Sequence, residues 1–255
     1  MFRSGHARQL PQYATERYCV AYLDVLGAKK FMAENSDKFL NDLNSIYFDA
    51  VNDVTATGIV TGETVEVKIF SDNILLAIKT GDNPEEAKGK TTKILNVAAN
   101  IYNNALGHGY LMRGAITIGD FFQNDVFVYG KALVDAVYME EKIAIYPRIV
   151  VNELLYKTHW QYFLPCNDGC FTLNTFAFRG LPDVYKLRLL ELCKRHHNDI
   201  KVMQKIMWVI SCFNECHANK PGIKRKITQS EIAEAVAKSH TQQKKNQKAI
   251  SFEVE

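Results

Sequence analysis

The segment YCVAYLDVLGAKKF, residues 18–31, constrains the fold of this chain more than any other. Its first half is rich in apolar residues, as in a buried strand, yet the run ends at the carboxylate of Asp24. Gly27 follows three residues later, and a helical pattern begins directly after it. This arrangement points backbone N–H groups and the positive end of a helix outward, which suits a phosphate group. Asp24 taken alone also suits a helix N-cap.

The pattern of apolar residues predicts the element order β-αα-β-β-α-β-β-α-β over residues 18–151. Two helices are expected between residues 28 and 55, separated at Asn35, with Ser36 or Asp37 as the cap of the second. Two strands are expected within residues 64–79, joined by a turn at residues 71–73. Elements in this order build an antiparallel, ferredoxin-like sheet with helices on one face, which is an α+β fold.

Three segments are expected along the chain. Residues 1–17 form a polar N-terminal lead-in, and residues 18–180 form the α+β domain. Residues 181–255 form a helical C-terminal extension, with helices over 182–196 and 200–216 and a basic tail.

A second carboxylate, Asp72, lies in the turn that joins the next two predicted strands. If these strands are neighbours of the first in one sheet, Asp24 and Asp72 project from the same edge. Paired carboxylates at a strand end suit Mg²⁺ or Mn²⁺, which prefer oxygen ligands and leave positions open for substrate phosphates. Asp72 alone is a common turn residue. The occurrence of both acids after buried strands favours a metal site.

Four blocks of the sequence resemble motifs of the class III nucleotidyl cyclases, in the order of that family. YLDVLGAKKF resembles the DIxGFT opening, and VKIFSDNILLA resembles the KxIGDxxMA hairpin, with Ser71 in place of its glycine. LMRGAITIGDFF resembles LRxGIHxGxV, and YGKALVDAVYMEEK resembles the GxxVNxAARLE helix. The blocks cover residues 18–142, somewhat over half of the chain.

The resemblance implies a cyclase homology domain that works as a head-to-tail homodimer with active sites at the interface. It implies that Asp24 and Asp72, with the carbonyl of Val25, hold two Mn²⁺ or Mg²⁺ ions. The ions would activate the ribose 3′-hydroxyl of a nucleoside triphosphate for attack on the α-phosphorus, and pyrophosphate would leave. The turn expected to contact the phosphates comprises Leu26, Gly27 and Ala28.

The sequence also departs from the family pattern. The transition-state asparagine of the family falls on Val134 and its arginine falls on Tyr138. The purine-reading pair of adenylate cyclases falls on Lys68 and Phe127, so the acidic partner of the adenine amino group is absent. Because both metal-binding acids are retained, we expect an active enzyme with a different base pocket, in which Lys68 contacts the substrate.

Three other side chains are candidates for substrate binding. Arg113 and Lys131 are the nearest cations that could replace the missing arginine at the triphosphate, and two surface charges are an equally good interpretation. Tyr47 could reach a base from the helical segment, although its spacing fits the apolar stripe of a core helix better.

The chain is similar to the compact, stand-alone pyrimidine cyclases of bacterial Pycsar antiphage systems, which join such a domain to a short helical extension. This resemblance implies a phosphorus–oxygen lyase that converts UTP, or less favourably CTP, to its 3′,5′-cyclic monophosphate. The product would activate a cyclic-nucleotide-dependent effector in antiphage defence. Two alternatives stay open: a degenerate, non-catalytic cyclase-like domain that senses nucleotides, and a purine cyclase acting on ATP or GTP.

Charge and hydropathy limit the partners. The net charge of +3 and the pI near 8.4 are too mild to argue for nucleic acid, and a solvated tail explains the cluster of Lys244, Lys245 and Lys248. No uninterrupted apolar run approaches a membrane span, and the N-terminus lacks the apolar core of a signal peptide. We therefore expect a cytoplasmic protein with no membrane or nucleic-acid partner.

The six cysteines raise the alternative of a zinc site. Two pairs, Cys166 with Cys170 and Cys212 with Cys216, have four-residue spacing, and His196, His197 and His217 follow nearby in the sequence. The CxxC spacing typical of zinc sites is absent, so reduced thiols are the favoured interpretation.

Overall fold

A central strand, β1 (Glu16–Val25), organises the sheet because both of its faces are apolar. The computed structural model describes residues 12–56, 65–178, 181–217 and 226–238. Within these, β1 pairs antiparallel with β3 (Asn73–Lys79) on one side and with β4 (Met112–Gln123) on the other. The strand β2 (Glu66–Phe70) continues the sheet beyond β3.

On the other side of β4 the sheet continues through three short strands. These are β6 (Ile149–Val151), β7 (Phe163–Pro165) and β8 (Phe171–Leu173). The strand order is β2-β3-β1-β4-β6-β8-β7, and the short strand β5 (Val128–Tyr129) pairs with the end of β4. Among the paired strands that the structure describes, β4 and β6 are parallel and the other pairs are antiparallel.

Helices cover both faces of this sheet. They are α1 (Ala28–Ala56), α2 (Pro84–His108), α3 (Lys131–Lys142), α4 (Glu153–His159), α5 (Pro182–His196), α6 (Ile200–Cys216) and α7 at 229–238. The larger core lies between one face of the sheet and α1, α2, α5 and α6. The helix α3 packs on the opposite face through Ala132 and Ala136. No helix in the described part of the chain is long and apolar enough to cross a membrane.

The α+β class and the predicted element order over residues 18–151 are confirmed. The expectation that all helices share one face is wrong, because α3 lies on the other face. The α1 helix is indeed interrupted at Asn35, whose φ of −162° is not helical. The cap, however, is Asn35 itself, whose side-chain oxygen accepts a hydrogen bond from the Lys38 amide at 2.9 Å, and not Ser36 or Asp37.

The C-terminal helices α5 and α6 have the predicted bounds. Their buried residues, such as Leu189 and Phe213, belong to the same hydrophobic core as the sheet. The sequence patterns did not predict three elements between residues 152 and 178: the helix α4 and the strands β7 and β8, which extend the sheet. The boundary placed at residue 180 stays a prediction. The predicted basic tail and most of the N-terminal lead-in lie outside the described residues.

Candidate functional site

The carboxylate of Asp24 lies at the end of β1, on the face of the sheet that carries α3. Alternation along the strand places it on the same face as Tyr22 and Val20. In the register of the sheet, Asp24 lies directly between Asn73 on β3 and Arg113 on β4. Its side chain is 17% exposed, so one central strand holds this acid in a partly desolvated position.

The second acid, Asp72, lies in the turn between β2 and β3, next to Asn73. Because Asn73 is the cross-strand neighbour of Asp24, the turn brings the two carboxylates to the same edge of the sheet. Burial raises the pKa of Asp24, Arg113 opposes this shift, and the charge of Asp72 adds to it. A cation placed at the two carboxylates would therefore be stabilised by both of them.

The turn that holds Asp72 contains a left-handed residue. Ser71 has a φ of +61°, a conformation that is costly for residues with a Cβ atom. Replacing Ser71 with glycine should raise the free energy of unfolding by about 0.5–1 kcal/mol, because relief of strain exceeds the added entropy of the unfolded chain. Chemical denaturation measures the change. Ser71→Ala is the control, and a gain in that variant equal to the gain in Ser71→Gly would contradict the explanation.

Arg113 lies between two acids. Its Nε lies 3.2 Å from Oδ2 of Asp24 and 2.6 Å from Oε1 of Glu140, on α3. The Arg113 side chain is 25% exposed and that of Glu140 is 4% exposed. Arg113 is therefore a partly buried, paired cation, and its contact with substrate stays a prediction. In this structure its guanidinium lies between the candidate metal-binding acid and a buried glutamate and can offset one of their two negative charges.

Glu140 was not among the residues predicted from the sequence. The signal was present, because Glu140 follows Ala132 and Ala136 at four-residue spacing and so occupies the stripe of α3 that faces the sheet. A carboxylate in such a stripe requires a partner. Tyr22 was also missed; burial and the nearby carboxylates, Glu140 first among them, raise its pKa to about 12. Its ring centroid lies 6.4 Å from that of Phe70.

Burial raises the pKa of Glu140 from 4.5 to about 7, with Arg113 opposing and Asp24 adding to the shift. The folded protein then binds more protons than the unfolded chain between these values, so Glu140 makes the free energy of unfolding fall as pH rises from 4.5 to 7. The buried ring of His159 and the half-buried ring of His196, whose pKa values are lowered by desolvation, act in the opposite sense.

The contribution of Glu140 is therefore measured as a difference between proteins. The free energy of unfolding of wild type minus that of Glu140→Gln should fall as pH rises from 4.5 to 7. The expected fall in this difference is on the order of 1–3 kcal/mol. Urea denaturation at several pH values provides the comparison. Parallel curves for the two proteins would contradict the raised pKa.

The glycine turn after β1 is formed as expected. Gly27 has a φ of +82°, and α1 begins at Ala28. The amide of Leu26, however, donates to the carbonyl of Leu111 at 2.8 Å, so it is already used within the fold. The first amides of a helix have no acceptor within that helix. The amides of Gly27 and Ala28 are thus the better phosphate donors of the three predicted residues.

The remaining predicted residues are spread around this site. Lys68 lies opposite Leu75, on the face of the sheet that carries Asp24. Lys131 is exposed in the first turn of α3 and forms an ion pair with Asp135 at 2.6 Å. Tyr47 lies on α1, whose buried side packs on the other face, so the structure does not bring Tyr47 to the carboxylates.

Val134 and Tyr138 lie four residues apart on α3, on its exposed side. Their exposed fractions are 66% and 60%. Both side chains therefore face outward from the same helix that directs Glu140 inward.

The donor set of the site fits a hard divalent cation. Two carboxylates, Asp24 and Asp72, lie at one edge, and the chain continues from Asp24 through the carbonyl of Val25. Within the described ranges, no group of three or more His, Cys, Asp or Glu side chains is arranged to hold a metal. The carboxylates would therefore share any ion with backbone, water or substrate oxygens, as Mg²⁺ commonly does.

The cysteine pairs are differently placed. Cys166 and Cys170 face each other across the turn between β7 and β8, with a backbone hydrogen bond of 2.8 Å from the amide of Cys166 to the carbonyl of Cys170. Burial raises the pKa of both thiols, and the cation beside them is Arg148. Zinc binds thiolates, so burial, which disfavours the thiolate form, opposes zinc binding at this pair.

No protein-family model matches the chain, and no curated protein sequence matches it. Solved structures are similar to it in fold. The guanylyl cyclase domain of the RhoGC fusion protein from the aquatic fungus Blastocladiella emersonii matches with a TM-score of 0.47 and 15% identity, over 63% of this chain and 98% of that chain.

Two other cyclases give similar values. The guanylate cyclase domain of RhGC from Catenaria anguillulae, solved in complex with GTP, has a TM-score of 0.45 and 16% identity over 63% of this chain and 96% of its own. The adenylyl cyclase CyaB from P. aeruginosa has a TM-score of 0.42 and 11% identity over 62% and 94%. Likeness at this level is too distant to assign an activity to this chain.

Proposed function

We propose that this protein is a nucleotide cyclase that converts UTP, or less favourably CTP, to the 3′,5′-cyclic monophosphate and pyrophosphate. The observation that carries the proposal is the meeting of Asp24 and Asp72 at one edge of the sheet, beside the Gly27 turn. Each acid has a structural explanation by itself. Their convergence beside a helix N-terminus provides sites for cations and for phosphate oxygens together.

Asp24 and Asp72, with the Val25 carbonyl, would hold two Mn²⁺ or Mg²⁺ ions. When bound, such ions stabilise negative charge on the attacking and leaving oxygens of a phosphoryl displacement. The amides of Gly27 and Ala28 would bind the phosphates. Lys68 lies on the same sheet face and is proposed to contact the substrate from β2.

Base choice is proposed from the residues at the purine-reading positions. Phe127 is about half exposed, and its ring centroid lies 5.9 Å from that of Tyr13. An aromatic ring cannot accept a hydrogen bond from an adenine amino group as a carboxylate does. This difference supports a substrate other than ATP, and the resemblance in the sequence favours UTP.

We propose that the enzyme acts as a homodimer whose two sites lie at the interface. Large side chains are exposed on the α3 side of the sheet at Phe70 on β2 and at Val134 and Tyr138 on α3. Burial of such side chains against a second copy would stabilise a dimer. The cyclic product would then serve as a second messenger for an effector in antiphage defence, within the cytoplasm.

The dimer predicts an activity that depends on protein concentration. Specific activity should fall as the enzyme is diluted through the dissociation of its dimer, because each site would need residues of both protomers. Activity per mole and molecular mass are measured over the same dilution series. A specific activity that stays constant while the mass falls to that of a monomer would contradict a shared site.

The second candidate function is nucleotide sensing without catalysis. It is favoured by Val134 and Tyr138, which are exposed and apolar where the motif has its asparagine and arginine. Val134 has no hydrogen-bond donor to replace the asparagine, and Tyr138 has no positive charge to replace the arginine that would stabilise a transition state at phosphorus. A purine cyclase is the third alternative, and the same experiment tests it.

The experiment is incubation of the purified full chain with each of the four nucleoside triphosphates and Mn²⁺, followed by mass spectrometry. We expect cyclic UMP or cyclic CMP with release of pyrophosphate. Cyclic AMP or cyclic GMP as the main product would identify a purine cyclase. If the protein binds a nucleoside triphosphate but forms no cyclic product from any of the four, the cyclase proposal is rejected and nucleotide sensing is supported.

A further inference from the structure

The arrangement of Asp24, Arg113 and Glu140 has a consequence for how the site binds a cation. Arg113 is the direct cross-strand neighbour of Asp24 and also contacts Glu140 on α3. The guanidinium of Arg113 places a positive charge beside Asp24. A divalent ion that binds Asp24 must therefore compete with a cation that belongs to the protein.

Glu140 is the second anionic partner of Arg113 and can hold it when a metal ion binds Asp24. With its side chain 4% exposed, Glu140 is held inside the protein, whereas Asp24 lies at the end of the central strand β1 with 17% exposure. The Nε–H group donates its hydrogen bond to Oδ2 of Asp24 at 3.2 Å, whereas Oε1 of Glu140 lies at ion-pair distance from Nε, 2.6 Å, and has no other partner among the described residues. Above the pKa of Glu140, about 7, Arg113 keeps a buried anionic partner when Asp24 turns to a metal ion, and its charge is not left uncompensated.

We propose that Arg113 is a built-in competitor for the metal at Asp24 and that Glu140 is the positioning residue that retains Arg113 when the metal binds. The inference rests on the proposed function for the metal-binding role of Asp24. It adds a residue, Glu140, that tunes metal affinity through Arg113 and without touching the ion.

Three variants test this: Glu140→Gln, Arg113→Gln and the two combined. Each full chain is titrated with Mn²⁺ without nucleotide at pH 8, above the pKa of Glu140. Binding is measured by calorimetry or by the electron paramagnetic resonance of free Mn²⁺. Glu140→Gln should weaken Mn²⁺ binding about tenfold, as is typical for loss of an outer-shell partner, because Arg113 is then left to Asp24 alone. Arg113→Gln should tighten binding about tenfold, because the competitor is removed. The double variant should bind Mn²⁺ with the same affinity as Arg113→Gln alone.

The double variant separates the proposal from a simple effect of charge. If Glu140 acted on the ion only through space, its removal would weaken binding equally in both backgrounds, and the effects would add. Additive effects would therefore overturn the route through Arg113. Unchanged Mn²⁺ affinity in Glu140→Gln, or weaker binding in Arg113→Gln, would overturn the proposal as a whole.

Controls address folding and the premise. Glu141→Gln removes a neighbouring, exposed carboxylate and should leave Mn²⁺ affinity within about twofold of wild type. Glu140→Asp should recover part of the affinity lost in Glu140→Gln, whereas a loss caused by general disruption would not be recovered. Circular dichroism confirms the fold of each variant, and Arg113→Gln gives an independent test if Glu140→Gln does not fold.

The wild type tests the premise. If it fails to bind Mn²⁺ at millimolar concentration, the proposed metal chemistry itself is overturned. This outcome differs from a wild type that binds Mn²⁺ and variants whose affinity is not altered as expected.

Discussion

Replacing Asp72 with asparagine should reduce cyclic nucleotide formation about a thousandfold or more while leaving the protein folded. The substitution keeps the size of the side chain and removes one of two carboxylates that would hold the ions at the reacting phosphate. Loss of a group that stabilises transition-state charge has effects of this size. Product formation per minute at saturating Mn²⁺ and nucleotide is the measurement.

The stability of the same variant should move in the opposite direction. The charge of Asp72 raises the pKa of Asp24, so the two acids repel each other in the folded protein. Its removal should raise the free energy of unfolding by up to about 1 kcal/mol, as expected where function is maintained at a cost to stability. Asp49→Asn, at an exposed carboxylate of α1, is the matched control and should change neither quantity. Full activity in Asp72→Asn would refute the assignment of this acid.

Gly130→Ala should destabilise the protein by about 3 kcal/mol or more. Gly130 lies between β5 and α3 with a φ of +142°, a conformation that L side chains rarely adopt. A Cβ atom there would lie 2.4 Å from the carbonyl oxygen of Asp120 and 2.6 Å from the Cα of Phe121. Both neighbours are backbone atoms of β4 and cannot move independently. Backbone strain and overpacking each cost about 1–3 kcal/mol.

Gly107→Ala is the matched control, because Gly107 lies within α2 and an added Cβ would have no neighbour within 4 Å. This variant should gain about 0.5–1 kcal/mol, since alanine favours the helix. Equilibrium denaturation in urea measures both variants. If Gly130→Ala were as stable as wild type, the close approach of α3 to β4 would not be required, and the position of Glu140 on α3 would need another explanation.

Much of the fold was predictable because local patterns and the packed structure agree. The alternation of β1 and the apolar stripes of α5 and α6 gave strands and helices at nearly the observed bounds. The two acids were predictable for the same reason, since Asp24 ends a buried strand and Asp72 lies in a turn of residues that favour turns.

The features that the sequence did not predict depend on contacts between distant segments. Arg113 pairs with residues 89 and 27 positions away along the chain, and its surroundings follow from the register of β1 with β4 and from the rotation of α3. The strands β7 and β8 have three residues each, too few for alternation to be recognised. Asn35 was missed as a cap because Ser36 and Asp37 are equally good capping residues by type.

The pairing of β1 with a strand on each side also affects how readily the two halves of the site open. From Tyr18 to Asp24, this strand has a hydrogen-bonded neighbour on each side, whereas the turn that carries Asp72 joins β3 to the edge strand β2. Local opening begins at edges and spreads to the centre only in larger fluctuations. In a hydrogen-exchange experiment, the amides of β1 would exchange among the last, and those of β2 would exchange much earlier. We therefore expect the backbone at Asp24 to stay paired during fluctuations that open the turn at Asp72.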